Sequence, residues 1–405
     1  MLGLAAVLLI PVSRIYLARH AAAAGSRESA AAFLSPALGA ATKVASASAA
    51  LPKETWHEVA ARAGVDASNF YKDAFVLYDK FTEEEQMMFR KPPDELDLDK
   101  AAELFKRIQP ILELLRQGAE ADYCEWGLGP LTIDSNLSHL SRAMGVGRLA
   151  AWSASYRFPS DPQNALIDLK SQLRLGGHVA DSDLGWLVQM SLERRANEVL
   201  SQNAGALDAA GLLQAQELVR ASTVEKNMAT ALAAEAGLFT STAKIIAAQT
   251  PSERGDYLLK FLGGRPATEA LRQMFQDEAA LTAELRYFQQ MKMEMNEGMS
   301  WPEAQFQAWW KGVENSLPNH PLAEAMNLTN PGNVEIYQRH QQAQVERAML
   351  SAGLTLLQNG SAQLAQFRDP VSGAAFSYVE KADGFELQST LKKNGKPVTM
   401  SFTRR

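Results

Sequence analysis

The chain has one cysteine, Cys124, among its 405 residues. That excludes an internal disulfide and any cysteine-rich zinc or iron–sulfur site. Its six histidines (His20, His57, His139, His178, His320 and His340) are scattered, and no pair has the spacing of a helical metal site. There is no Gly-x-Ser-x-Gly, no phosphate loop and no His-Glu-x-x-His. Cationic clusters are scarce as well. The net charge is −6, with +3 over residues 1–72, +3 over residues 376–405 and −12 between them. An acidic body lacks the footprint of a nucleic-acid binder, which needs clustered Lys and Arg facing phosphates.

What is abundant is alanine, 64 residues by count. It favours helix over sheet. With 46% hydrophobic residues and 21% charged, the chain can bury a sizeable core.

The start reads Met1 to Val12 without a charge, followed by Arg14, Arg19 and His20. Twelve apolar residues fall short of the roughly 20 that span a bilayer and are closer to a signal-peptide core. No positive charge precedes them. Two readings stand: an export or anchor segment over 1–24, or a buried or amphipathic first helix of a soluble protein. The first places the chain at the inner membrane facing the periplasm, or outside the cell. Residues 25–50 are mostly Ala, Ser and Gly and read as a linker.

From about 51 to 330 the apolar period is helical. Leu137, Leu140, Met144, Leu149 and Trp152 share a stripe, as do Leu166, Leu169, Leu173 and Gly177, and then Leu184, Leu187, Val188 and Leu192. Loops at Phe158–Ser160 and Gly176–Asp181 are short enough to make these neighbours antiparallel. Capping boxes are expected at Thr82–Glu85, Thr250–Glu253 and Ser300–Glu303. Asp161 and Asn333 are expected to open two further helices. The pairs Asp97/Asp99 and Asp181/Asp183 read as caps, and Pro110 should kink its helix.

After Gly360 the period becomes two. Phe376 and Tyr378, then Phe385, Leu387 and Ser389, then Val398, Met400 and Phe402 alternate, with turns at Ala382–Gly384 and Asn394-Gly395. Residues 331–405 therefore read as a helix plus a three-stranded antiparallel meander packed on it. The fold class expected is mainly α, an antiparallel helical array with this small β end.

The stretch Asp369-Pro370, Gly373, Tyr378, Gly384-Phe385-x-Leu387-x-Ser389 is the most specific in the chain. It resembles the C-terminal signature of uncharacterised bacterial proteins with an N-terminal anchor, a helical body and a C-terminal meander. That meander is similar to the end of type II secretion major pseudopilins. The resemblance implies a tethered extracytoplasmic protein, with an accessory role in a secretion or pilus-like system as a second reading. In pseudopilins the corresponding end supplies calcium ligands. Here Leu391-Lys392-Lys393-Asn394-Gly395-Lys396 replaces the acidic residues, so no calcium is expected. More than 300 residues separate the apolar start from the meander, so filament assembly is not implied.

Several patterns invite chemistry and have plainer explanations. Gly145-Val146-Gly147 follows a helix-periodic stretch instead of a strand, so close packing explains it better than a dinucleotide. Met291, Met295 and Met299 share one helix face with Met293 pointing away, the pattern of core filler. Cys124, between Tyr123 and Trp126, reads as buried. Trp301, Phe306, Trp309 and Trp310 are mainly packing residues by their spacing, and they are also the best candidates for a partner-binding patch. No catalytic residue, metal site or cofactor is expected. The function expected is a non-enzymatic interaction scaffold tethered through its N-terminus. A site assembled only in space, making the chain an enzyme, is the remaining alternative.

Overall fold

The computed structural model describes residues 65–92, 95, 97–128, 136–262, 267–325 and 332–404. The expected anchor and linker lie outside the described residues. Among the described residues no helix is long and apolar enough to cross a membrane.

Fourteen helices precede one sheet among the described residues. They are α1 (Ala67–Tyr78), α2 (Glu83–Met88), α3 (Leu98–Glu120), α4 (Ser138–Arg157), α5 (Pro162–His178), α6 (Asp183–Asn203) and α7 (Ala209–Arg220). Then come α8 (Val224–Ala247), α9 (Pro251–Leu262), α10 (Glu269–Gln276), α11 (Glu278–Gly298), α12 (Glu303–Ser316), α13 (Pro321–Ala325) and α14 (Gly332–Asn359). Strands β1 (Ser377–Lys381), β2 (Gly384–Lys393) and β3 (Lys396–Thr403) form an antiparallel sheet in chain order. The mainly α fold with a C-terminal meander is thus the observed one.

Side-chain caps start most of these helices. The Asp66 carboxylate accepts from the Ser68 amide, Asp97 from the Asp99 and Lys100 amides, Asp161 from Asn164 and Asp208 from Gly211. Each satisfies amide donors that a helix start leaves open. The boxes at Thr82/Glu85 and Thr250/Glu253 close in both directions. The expected box at Ser300 does not form. Helix α12 begins at Glu303, and the Ser300 hydroxyl donates back to the Glu297 carbonyl at the end of α11. Only two residues, Trp301 and Pro302, separate Ser300 from α12, so it stays within reach of the last carbonyls of α11. Asn333 lies inside α14, which starts at Gly332, and Gly176 and Gly177 belong to α5 instead of a loop.

The core has three apolar clusters, and α6 touches all of them. Trp186 and Met190 enter one with Phe239, Phe288, Met291 and Trp310. Val188 and Leu192 enter a second with Tyr71, Phe75, Ile108 and Trp152. Val199 and Leu200 enter the third with Leu166, Met349, Phe385 and Phe402. A central helix must bury most of its girth, which explains why α6 carries small and apolar residues on several faces. Gly145 and Gly147 sit within α4 where a Cβ would come within 2.6 Å of the Tyr78 ring and 2.4 Å of Leu192. They permit close helix packing. Met291, Met295 and Met299 are buried, and Met293 is 49% exposed, as the four-residue spacing requires.

The meander docks on α14. Phe402 lies so close to Gly353 that a Cβ there would sit 2.0 Å from the ring. The Lys393 ammonium donates to Gln342 Oε1 (2.9 Å) on the same helix. Asn394 and Gly395, with φ of 52° and 75°, make the tight turn that this dipeptide favours.

Candidate interaction site

The four aromatic residues singled out by spacing do come together. The C-terminal end of α11, the Ser300–Pro302 link, α12 and the first turns of α14 position them. Phe306 and Trp310 are fully buried, and Trp301 and Trp309 are half-buried. Phe306 stacks on Tyr337 (4.1 Å between centroids), and the Tyr337 hydroxyl donates to the Trp301 carbonyl (2.7 Å). Trp301 meets Trp309 edge to face at 6.1 Å and 84°. Two indole N–H groups of the cluster find carboxylate acceptors: Trp309 donates to Glu294 Oε2 (2.9 Å) and Trp310 to Glu314 Oε1 (2.8 Å). Gly298 lets the Trp301 ring close over α11, since a Cβ there would lie 3.2 Å from it. Half the cluster is therefore core. The surface part is the Trp301–Trp309 pair, with Glu297 and Glu303 exposed on the neighbouring turns.

Sequence spacing gave no hint of three polar clusters that the fold assembles. In the first, Asp168 is fully buried on α5. It meets Arg116 (2.8 Å), Arg157 (3.1 Å) and the Ser153 hydroxyl (2.7 Å). Burial raises its pKa against the pull of Ser153 and the two guanidiniums. The second joins Asp183, Glu235 and Lys292 across α6, α8 and α11, with Lys292 Nζ 3.7 Å from Asp183 and 3.9 Å from Glu235. Burial and the neighbouring Asp183 carboxylate push Glu235 up to about 8, against Lys292. Ser182 is the N-cap of α6 and accepts from the Gly185 amide (3.0 Å), while Asp183, the first residue of the helix, accepts from the neighbouring Leu184 amide (2.6 Å). Asp181 precedes the cap, and burial pushes it up to about 6.

The third cluster surrounds Trp126. The indole stacks on His139 (4.6 Å, 23°) and packs against Phe75 and Tyr71, while its N–H donates to the His178 carbonyl (2.7 Å). His178 Nδ1 bonds the Tyr71 hydroxyl (2.9 Å). Burial holds His139 and His178 down at about 4, with Lys72 and Arg174 respectively adding to the effect. Cys124 is half-buried nearby. Burial, then Asp66 and Asp181, push its thiol up to about 12. A thiol held in that form is a poor nucleophile. His340, buried against Trp186, is also held at about 4 by burial.

The most specific sequence motif proves to be a structural lock. Asp369 is buried, and its Oδ2 accepts from the Ser389 hydroxyl (2.9 Å), the Thr390 amide (2.8 Å) and the Thr390 hydroxyl (2.7 Å). Its Oδ1 accepts from the Val371 amide (3.0 Å). Burial raises its pKa, but these donors outweigh it and the net direction is down. Gly373 turns the loop at φ 69° and donates its amide to the Asp369 carbonyl (2.8 Å). At Gly384 a Cβ would sit 1.8 Å from the Phe402 carbonyl oxygen. Phe385 and Leu387 face the core.

A cleft between α5, α6 and α7, lined by Leu173, Glu193, Asn197 and Ser222 among others, holds about 10 Å³. That is room for one water. Among the described residues no group of three His, Cys, Asp or Glu side chains has metal-binding geometry. No family model, curated protein or solved structure matches this chain.

Proposed function

We propose that this chain is a membrane-tethered, extracytoplasmic helical scaffold that binds a protein partner through the Trp301–Trp309 edge and performs no catalysis. The observation that carries the reading is how the chemically capable side chains are used. Cys124 is held protonated, half-buried His139 and His178 and buried His340 are held neutral, Asp168 is clamped by two arginines, and Asp369 is saturated by four donors. Each such group is spent on holding the fold. The half-buried Trp301–Trp309 pair has the composition of an interface anchor.

The tether rests on the uncharged run Met1–Val12 followed by Arg14 and Arg19. A second reading, an accessory role in a secretion or pilus-like system, is supported by the Asp369–Ser389 motif. The test is affinity capture with the full-length chain and with a Trp301→Ala/Trp309→Ala variant. A partner held by the first and lost by the second supports the scaffold. Equal capture by both removes the tryptophan edge from the account, and secretion components among the captured proteins favour the second reading.

A further inference from the structure

Helix α4 carries Arg148 into a junction with three other parts of the chain. Gly145, one turn before it, lies under Tyr78 at the end of α1, where a Cβ would come within 2.7 Å of the phenol oxygen. Trp152, one turn after it, meets Phe89 edge to face at 5.6 Å, and Arg90 follows Phe89 directly. Gly147, its neighbour, lets Leu192 of α6 approach, and Arg195 follows Leu192 by one turn. The packing therefore gathers Tyr78, Arg90 and Arg195 around Arg148, each near enough to act on its charge.

These groups have few partners. Among the described residues the Arg90 and Arg148 guanidiniums and the Tyr78 hydroxyl form no hydrogen bond or ion pair. Arg195 donates to Glu198 on its own helix (2.9 Å). Carboxylates nearby are held by other cations, Asp79 by Arg142 (2.9 Å) and Glu85 by Arg107. Three guanidiniums thus face one carboxylate, and two positive charges stay unmatched. Arg148 is half-buried, and its nitrogens stay open to solvent. Burial and then Arg90 lower its pKa, with Arg195 adding and Tyr78 opposing. A half-buried guanidinium beside like charges is costly to keep without an anion.

We propose that Arg90, Arg148 and Arg195, with the Tyr78 hydroxyl, form a binding site for one dianionic phosphate group. The charge selects the ligand class. Two unmatched cations balance a phosphate monoester, which carries about −1.5 to −2 at pH 7, and exceed what one carboxylate offers. The donors fit as well: guanidinium forks pair with phosphate oxygens two at a time, and the phenol adds an O–H. Arg148 is the inner group, and Arg90 is exposed at the rim. The cations meet at one spot on an acidic body instead of forming a track, so the ligand is a single phosphate group and not a nucleic-acid backbone. A soluble phosphate ester and the headgroup of a phosphatidic acid share this chemistry.

The test is equilibrium dialysis of the full chain against radiolabelled inorganic phosphate at pH 7.5, with the ionic strength held by chloride. One phosphate per chain is expected, saturating at low-millimolar concentration or below. Arg90→Gln, at an exposed position, should weaken binding about tenfold, and Arg148→Met, which keeps the apolar stem, about 10²-fold or more. Acetate at the same concentration should leave the phosphate bound, because a single negative charge does not balance the site. Glycerol 3-phosphate and dihexanoyl phosphatidic acid then separate the two sources. Equal displacement by both assigns a soluble ester, and displacement about tenfold better by the lipid assigns a headgroup. Should Arg148→Met not fold, Arg90→Gln decides. No saturable binding up to about 20 mM, unchanged binding by the Arg90→Gln variant, or displacement by acetate overturns the site.

Discussion

Replacing Asp369 by asparagine removes one charge and leaves the shape. Three donors converge on Oδ2 and one reaches Oδ1. An asparagine can turn its carbonyl to the three, but its NH₂ then faces the Val371 amide, donor against donor. Hydrogen bonds to a charged acceptor are worth about 1 kcal/mol more than neutral ones. Three weakened bonds and one lost bond therefore amount to about 3–4 kcal/mol. The effect should be local, because the lock ties the Asp369–Ala374 loop to the middle of β2. Hydrogen exchange of the β2 amides reads it directly, since about 3 kcal/mol corresponds to exchange about 10²-fold faster. Asp369→Ala, which strands the buried Ser389 hydroxyl, should accelerate exchange further. If Asp369→Asn leaves β2 protection within about threefold of the parent, the carboxylate is not the lock described here. The same lock gives a pH dependence. A carboxyl held below its ordinary value stabilises above about 3.8, and that stability is lost as the pH falls through its lowered pKa.

Three other outcomes follow from the same contacts. Gly384→Ala should destabilise the sheet by about 2–4 kcal/mol, because the Phe402 backbone must move; unaltered thermal unfolding would contradict this. Glu235→Gln should raise the melting temperature more at pH 9 than at pH 5. The raised Glu235 favours the folded state below about 4.5, and this contribution is lost as the pH rises through about 8. An equal shift at both pH values would count against the Asp183–Glu235–Lys292 cluster. Cys124 should react with iodoacetamide at pH 8 about 10–10² times more slowly than a free cysteine, and free-thiol kinetics would refute its held state.

The parts of the fold that local chemistry dictates were legible in the sequence. Alternation at Phe385, Leu387 and Ser389 and the Asn394-Gly395 pair predict the meander, because side-chain period and positive φ are local properties. The Met291/Met295/Met299 stripe was legible for the same reason. Thr82 and Thr250 cap as expected, whereas Ser300 is drawn to the end of α11, where the Trp301 ring lies over Gly298. Asp181 and Asp183 look like caps in sequence. Ser182 takes the capping role, and Asp183 also faces Lys292 of α11. The polar clusters left no local trace: Arg116 and Asp168 are 52 positions apart, and Tyr71 and His178 are 107 apart. Of the aromatic candidates, spacing identified the cluster but not its division. Tyr337 of α14 covers Phe306, and Trp301 and Trp309 stay half-buried.

The tether is the central claim, and fractionation of the full-length chain against a chain lacking residues 1–24 tests it most directly. The full-length chain is expected to sediment with membranes and to be cleaved by protease added outside the cytoplasm, while the shortened chain stays soluble inside. Both forms soluble in the cytoplasm would contradict it.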